Sequence, residues 1–581
     1  MNDSWIAFDF ETSSQNRYAC KIDRVCVCSF DMKGRTSVLD YSMRGNVTGT
    51  LADVMSLPFP KVAHNAAFDL YLMEHRLGIK VAGEVHDTYL MAKHWRNDLP
   101  AYDLKSLSWW LFGDLYTPLT KLRQWIHEHN MKGEDDIEFD MTQCPDKLVH
   151  NYCTHDVEMT AKLTQLLYPK VCDNYAYKLD TKAIRLTMEA EAAGITIDTE
   201  FYKRFRHLGK RRINRNLHTA SEIMEVPEGR KPTGNALRER LAERGETRRT
   251  LKGRIKADEV VLRDHKDDRG IRAVVRVRTD QKQVSTYVEN ILAAAGGTGK
   301  FHPNLRQSAA ITRRYRSSDF HGDNGVITKG NVQNFPRGEG IRSGIIVPKG
   351  YAFVKLDLAS IEARLGAHAM SVFLDFDFYC KKYKADDKFN IYLHVIEEHT
   401  DHGKVSKKDP LYTAYKHGCL GIQYGVGVRT FHRTMVDNFE LPYTLEECNH
   451  IYQTIRHECP EFVALQRAVS SLVEEQGYVE DDFGARYYVP EGAYKGVNYY
   501  CQGCAGNVLK WWWGEVDELM EGTKDYVFNT VHDELDAAVM RGRAAEGRVR
   551  AYCDTLKELD LFDLPITAET SGLVENWGVA G

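Results

Sequence analysis

The sequence is 581 residues long, with 43% hydrophobic and 27% charged residues, a globular composition that excludes a disordered or fibrous chain. At about 150 residues per domain this length predicts three or four domains. No run reaches the roughly 18 apolar residues of a membrane span, and MNDSWIAFDFET is no secretory signal, so neither membrane insertion nor export is expected.

Thirteen cysteines without an export signal predict reduced thiols in a cytoplasm. The net charge of -5 argues against a polyanion partner, but it is an average. Residues 201–280 hold 23 Lys and Arg against 12 Asp and Glu, a local excess of +11 that leaves -16 for the rest. Such asymmetry points to a polyanion, and a solvated helical surface with interspersed ion pairs is the competing reading.

In chain order, Trp5–Phe10 and Val25–Phe30 are short runs of apolar and aromatic residues that predict strands. Residues 152–167 have helical spacing, and a helix over about 180–193 is predicted to close at Gly194. The basic block is poor in proline and predicts helices. Tyr351–Asp357 predicts a buried strand, followed by a helix from Ala359 to Met370. Residues 409–437 predict a helix broken near Gly425 and Gly427. Val527–Val539 predicts a hairpin, with Phe528–Val531 and Glu534–Val539 on either side of a His-Asp turn.

Two motifs are set aside. Gly296–Lys300 looks like a phosphate loop, but Ala294 stands at the first glycine and Phe301 at the metal-binding hydroxyl. Cys501 and Cys504 have zinc spacing without a second ligand pair nearby.

Asp9 and Glu11 alternate on a predicted strand and so share a face. Two carboxylates at the end of an apolar run are costly unless cations bind them, and a hard divalent ion suits a few carboxylates plus water. Asp69 in HNAAFD and Asp156 in YCTHD have a similar setting. Taken singly, each reads better as a cap or turn residue. Tyr152 precedes Asp156 by one helical turn and shares its face.

The ordered set Asp-x-Glu, Asn65-x-x-x-Asp69 and Tyr152-x-x-x-Asp156 resembles the three motifs of proofreading 3′–5′ exonucleases with an RNase H-like fold, over about residues 1–170. The resemblance implies that Asp9, Glu11, Asp69 and Asp156 hold two metal ions and that Tyr152 orients the attacking water.

Further on, Asp357 ends an apolar strand in KLDLASIEAR and Asp533 sits in VHDEL. Between them Lys416, Leu420 and Tyr424 are spaced by four and share one helix face. A cation, an apolar residue and an aromatic there suit a nucleotide, and an amphipathic core helix with a snorkelling lysine is the alternative.

DLASIEAR, KHGCLGIQYG and VHDEL, with KQVSTY, NVQNFP, GYVEDDFGARYYVP, CQG and NWGVA in the same order, resemble the family A DNA polymerases of the bacterial polymerase I and phage type. The implied architecture is α/β and α+β multidomain. An exonuclease domain over 1–170 precedes a right-hand polymerase domain over 171–581. Its thumb is placed at about 201–290, its palm at 291–385 and 476–581, and its fingers at 386–475.

The resemblance implies catalytic roles for Asp357, Asp533, Glu534 and Lys416, with Asp357 and Asp533 as metal ligands. It assigns nucleotide contacts to Glu362, Lys416, Leu420, Tyr424 and His394, with Glu362 excluding a 2′-hydroxyl. DNA contacts fall to Lys282, Thr312, Arg314, Arg364, Asn498, Gln502 and His532. Several positions depart from the family. Tyr412 stands where an arginine is usual, with Lys407 and Lys408 near but off that helix face. Leu420 replaces an aromatic, Tyr494 an arginine, and His394 is displaced by two residues.

The implied cofactor is Mg2+, two ions per site, with Mn2+ as a substitute. The implied partners are primer-template DNA, deoxynucleoside triphosphates and replisome proteins such as a helicase-primase and a single-strand binding protein. A monomer in the host cytoplasm during phage infection is expected, because no length remains for a 5′ nuclease domain. The competing functions are an exonuclease whose second half only binds DNA, and a non-enzymatic scaffold.

Overall fold

The structure, a computed structural model, describes residues 4–580 except 44–47, 130–139, 227–231, 233, 251 and 339. Strands β1 (Ser4–Thr12), β2 (Ile22–Asp31), β3 (Thr36–Ser42), β4 (Lys61–Ala63) and β5 (Val85–Asp87) form one sheet in the order β3-β2-β1-β4-β5. β1 is antiparallel to β2 and parallel to β4. Trp5–Phe8 is buried without alternation, as a central strand covered on both faces requires. Helix Asp146–Val171 covers the sheet through Val149, Cys153, Val157, Leu163 and Leu167, and so extends the helical spacing read at 152–167.

Helix Tyr175–Ala193 begins at Asn174, whose side chain accepts from the Tyr177 N–H, and ends at Gly194 with φ +66°. It serves two cores. Tyr177, Ile184 and Met188 join the N-terminal core, whereas Ala176, Leu179 and Ala190 join the C-terminal one. A helix with apolar residues on two sides belongs between two units, and this one joins them.

The seam is also polar. Asp180, fully buried, meets His94 Nε2 at 2.6 Å, Lys510 Nζ at 2.7 Å and Ser308 Oγ at 2.9 Å. Arg17 pairs with Glu191 at 2.7 Å, and Tyr18 stacks on His302 at 3.7 Å. Asn97 accepts from the Tyr488 N–H at 2.7 Å. Buried polar groups must be bonded, and here their partners come from opposite sides of the seam.

The basic block is helical: Thr199–Ile223, Gly234–Glu243, Glu259–Asp264 and Arg269–Gln281. Leu237, Leu241, Val261, Leu262 and Ile271 give it a small core of its own. Strands β6 (Ile195–Ile197), β7 (Lys300–Arg306), β8 (Arg316–His321), β9 (Ile327–Thr328) and β10 (Ile345–Ile346) make a second sheet, in the order β10-β6-β7-β8-β9. The glycine-rich segment before β7 is a turn after the helix Glu289–Ala295.

β11 (Tyr351–Leu358) lies central in a further sheet with β14 (Tyr526–Val531), β15 (Glu534–Met540) and β16 (Ala568–Thr570), in the order β14-β15-β11-β16. β12 (Tyr478–Glu480) and β13 (Arg486–Tyr488) form a separate ribbon.

The helix after β11 starts at Ile361, two residues later than predicted, because Ser360 adopts a left-handed φ of 51° at the turn. The predicted interrupted helix is two helices, Pro410–Gln423 and Val428–Asp437. No helix among the described residues is long and apolar enough to cross a membrane.

Two candidate active sites

The first site opens where β1 meets helix Asp146–Val171. Asp9 and Glu11 project from one face of β1, and helical spacing puts Tyr152, Cys153 and Asp156 against them. Asp69 reaches in from the helix Ala66–Tyr71 and accepts the Phe10 N–H at 3.1 Å. Its turn is held by Asp87, which accepts the N–H groups of Asn65 and Ala66 at 3.0 Å each and of Tyr89 at 2.8 Å.

The four acids repel one another. Burial, then the neighbouring Asp156 charge, pushes Asp9 up to about 8. Burial followed by Asp9 raises both Glu11 and Asp69 well above the carboxylate range. Buried acids that repel one another in this way suit a cation. Tyr152 faces them: burial and then Asp156, Glu11 and Asp9 raise its hydroxyl.

Two members of this site carry no spacing signal in the sequence. Tyr116 Oη donates to Asp156 Oδ1 at 2.6 Å, and Lys105 Nζ lies 3.1 Å from Asp156 Oδ2. Lys105 also sits 5.1 Å from the centre of the Tyr152 ring. Both come from residues 104–116, between the motifs.

A cavity of about 500 Å³ opens beside these acids. Asp9, Asp69 and Asn65 line one side. Asn304, Arg306, Gln307, Ser318 and His321, all beyond the seam, line the other.

The second site lies at the end of β11. Asp357 is the cross-strand partner of Glu534, and the Leu358 N–H donates to the Asp533 carbonyl at 3.0 Å. That bond brings the His532–Asp533 turn beside Asp357. His532 makes the turn with φ 57° and is exposed.

Arg314 Nη2 lies 3.0 Å from Asp533 Oδ1, a buried oxygen that makes no hydrogen bond among the described residues. Burial raises Glu362, which feels Arg314, Asp533 and Lys416 in turn. Lys416 and Tyr424 are half-buried and Leu420 is buried. Glu534 is held by Trp577 Nε1 at 3.3 Å, with Arg342 at 3.8 Å. Gln502 gives its carbonyl to Arg314 Nε at 3.0 Å, and Asn498 stands one turn earlier on the helix Gly496–Met520.

Three residues expected at contacts are buried or half-buried. Arg364 is 2% exposed and spends its donors on the carbonyls of Ala359, Pro565 and Asp387, so it braces the turn. Thr312 is 4% exposed and is packed inside, so it is not a surface contact. His394 sits among the rings of Phe389 at 5.5 Å and Phe378 at 5.7 Å, and burial lowers its pKa. Lys282 is exposed on the helical segment Lys282–Val288. The Tyr412 hydroxyl accepts from Asn390 Nδ2 at 3.1 Å.

The family model for DNA polymerase family A matches residues 203–578, and that for a 3′–5′ exonuclease matches residues 1–171. The chain is 23% identical to DNA polymerase I of Pseudomonas aeruginosa, over 99% of this chain and 63% of that one. It is 24% identical to DNA polymerase I of Chloroflexus aurantiacus, over 91% and 57%. It is 25% identical to the DNA polymerase of Escherichia phage T5, over 63% and 45%.

The chain therefore spans about three fifths of the length of the two bacterial relatives. The POL domain of Pol1 from M. smegmatis, solved with DNA primer-template and dNTP, shares the fold with a TM-score of 0.75, covering 100% of this chain and 96% of that one at 18% identity. The chain belongs to DNA polymerase family A, with a 3′–5′ exonuclease domain ahead of its polymerase domain.

Proposed function

We propose that the chain extends a DNA primer on a template with deoxynucleoside triphosphates, and removes mismatched 3′ ends at a separate site. We further propose a role in phage DNA replication, supported by the likeness to the phage T5 polymerase. The observation that carries the synthetic role is the bond from the Leu358 N–H to the Asp533 carbonyl. It sets two carboxylates side by side within reach of Glu362, Lys416 and Arg314.

The donor sets fit hard divalent ions. Asp533 Oδ1 is buried with the Arg314 guanidinium 3.0 Å away, and burial followed by the Asp9 charge raises Glu11 well above the carboxylate range. Asp357 and Asp533 would hold Mg2+ at one site, and Asp9, Glu11, Asp69 and Asp156 at the other, with Mn2+ as a substitute. A divalent ion so bound lowers the pKa of a hydroxyl or water and stabilises a departing phosphate oxygen.

This chain's residues do the rest. Lys416 takes the triphosphate, Tyr424 stacks near the base, and Glu362 closes the sugar pocket to a 2′-hydroxyl. Gln502, Asn498 and His532 hold the primer-template end, Glu534 supports Asp357, and Tyr152 orients water. The basic helices at 201–290 serve as the thumb and grip the duplex backbone without reading sequence. The palm is assigned to 291–385 and 476–581, and the fingers to 386–475.

Primer extension and single-strand degradation test the two-site reading together. Asp357→Asn should lower synthesis about 1,000-fold, the scale of several kcal/mol of transition-state stabilisation, and spare degradation. Asp9→Ala with Glu11→Ala should do the reverse. Loss of both activities in either folded variant would refute separate sites. Degradation without any extension by the wild type would instead favour an exonuclease whose second half only binds DNA.

A further inference from the structure

The wall that faces the acids of the first site has a charge pattern of its own. Asn304 and Arg306 on β7 stand directly opposite Ser318 and Arg316 on β8. Cross-strand partners share a face of the sheet, and Asn304, Arg306 and Ser318 line the cavity. Two arginines thus sit side by side at its edge. Like charges placed directly opposite destabilise a strand pair. Both residues are exposed, and neither makes an ion pair or a side-chain hydrogen bond among the described residues.

A third cation comes from the other side of the seam. Lys93, on the helix Thr88–Trp95, is 6% exposed. Its ammonium lies 3.9 Å from the centre of the Tyr102 ring and 5.9 Å from that of Tyr89, which also lines the cavity. Among the described residues no carboxylate pairs with it. Burial, then Arg313, Arg316 and Arg306, lowers Lys93 to about 8. Arg313 is engaged elsewhere, with His94 and the Arg486 carbonyl.

Other buried cations of this seam have acids: Arg17 has Glu191, and Lys510 has Asp180. Lys93, Arg306 and Arg316 gather positive charge without one, which suits an anion from outside the chain. Guanidinium forks match phosphate oxygens, the Asn304 amide and Ser318 hydroxyl suit phosphate and sugar, and the Tyr89 ring offers a face for a base. Asp9 and Asp69 open into the same cavity, so the anion that fits is a strand with a phosphate at every nucleotide.

We propose that Lys93, Arg306 and Arg316 form one phosphate-binding site across the seam, which positions a single DNA strand upstream of a 3′ end lying at Asp9 and Asp69. The inference rests on reading this cavity as the exonuclease centre. The three are positioning residues: they hold the strand and leave the bond-breaking step to the acids. Two of them come from the part of the chain that matches the polymerase family.

Steady-state degradation of a single-stranded oligonucleotide by the full chain tests this. Arg306→Ala with Arg316→Ala, checked for an unchanged melting temperature, should raise KM roughly tenfold and keep kcat within about twofold. The slope of log KM against log salt should fall by about 1.4, the release expected for two phosphate contacts on a single strand. Arg306→Lys with Arg316→Lys keeps the charge without the fork and should bring KM back to within about threefold of the wild type. Lys93→Met keeps the packed stem and should raise KM about threefold.

An unchanged KM and salt slope in the folded alanine variant overturns the proposal. So does a loss confined to kcat, or a lysine variant as weak as the alanine one. A wild type that degrades no single strand refutes the exonuclease reading instead. Fluorescence anisotropy with a labelled single-stranded tetranucleotide then judges the phosphate site by itself: roughly tenfold weaker binding by the alanine variant upholds it, and equal binding removes it.

Discussion

Leu420 occupies the middle of the face that carries Lys416 and Tyr424, and it is buried. An aliphatic side chain there gives a nucleotide no flat surface. Leu420→Phe should raise the rate of deoxynucleotide incorporation several-fold and change the ratio of dideoxy- to deoxynucleotide use. Overpacking costs about 1–3 kcal/mol in a filled core, so the variant should also melt earlier. Single-turnover incorporation with both substrates checks this, and identical rates and selectivity would remove Leu420 from the nucleotide pocket.

Single residues also show where the sequence was legible. Asp9, Glu11, Asp69, Asp156, Asp357 and Asp533 stand in short strings whose spacing matches strand and helix periods, so their convergence could be expected. Lys105 and Tyr116 could not be found that way, since their contact with Asp156 spans 40 residues or more. The burial of Arg364 was missed for the opposite reason. A motif position reveals charge but not burial, and its guanidinium is consumed by three carbonyls.

At the scale of elements, the helix Gly496–Met520 is fitted to its neighbours by a missing side chain. A Cβ at Gly503 would stand 2.2 Å from Tyr487 Cζ in the β12–β13 ribbon. Tyr487 in turn donates to Asp481 at 2.9 Å and meets Asn507 at 3.2 Å. Gly503→Ala should therefore destabilise the chain by about 1–3 kcal/mol. It should also slow synthesis, because Gln502 beside it gives its carbonyl to Arg314. Urea unfolding and primer extension check the two effects, and Gly514→Ala, where a Cβ meets nothing within 4 Å, serves as the control on the same helix.

Element boundaries were legible where a residue type signals them, as Gly194 does. They were not legible where a non-glycine residue takes a left-handed turn, as Ser360 does.

For the whole molecule, the seam ties stability to pH. Burial, then Arg313, pushes His94 down to about 4, and the paired Lys510 and His94 overcome burial to hold Asp180 below the usual carboxylate range. Both folded values are depressed, so both contributions are complete above the unfolded values and vanish as pH falls. The His94 contribution declines between about 6.5 and 4 and amounts to about 3 kcal/mol, and the Asp180 contribution follows below about 4. Urea unfolding at pH 7, 5 and 4 should show this loss, and His94→Gln should flatten the upper part of it. An unchanged slope would mean that His94 stays protonated in the fold.

Lys510→Met leaves Asp180 without its strongest partner and should cost about 3–5 kcal/mol at neutral pH. None of this network was visible in the sequence, because its members lie at positions 94, 180, 308 and 510, and no local pattern links them.

The shared cavity beside Asp9 has a consequence for modularity. Its far side, from Asn304 to His321, belongs to the part of the chain that matches the polymerase family, so residues 1–171 cut out as a fragment would carry half a pocket. Grafting that fragment onto another polymerase transplants the acids without the surface that faces them. The editing unit and its host must change together at this wall, however independent their family matches look on the linear chain.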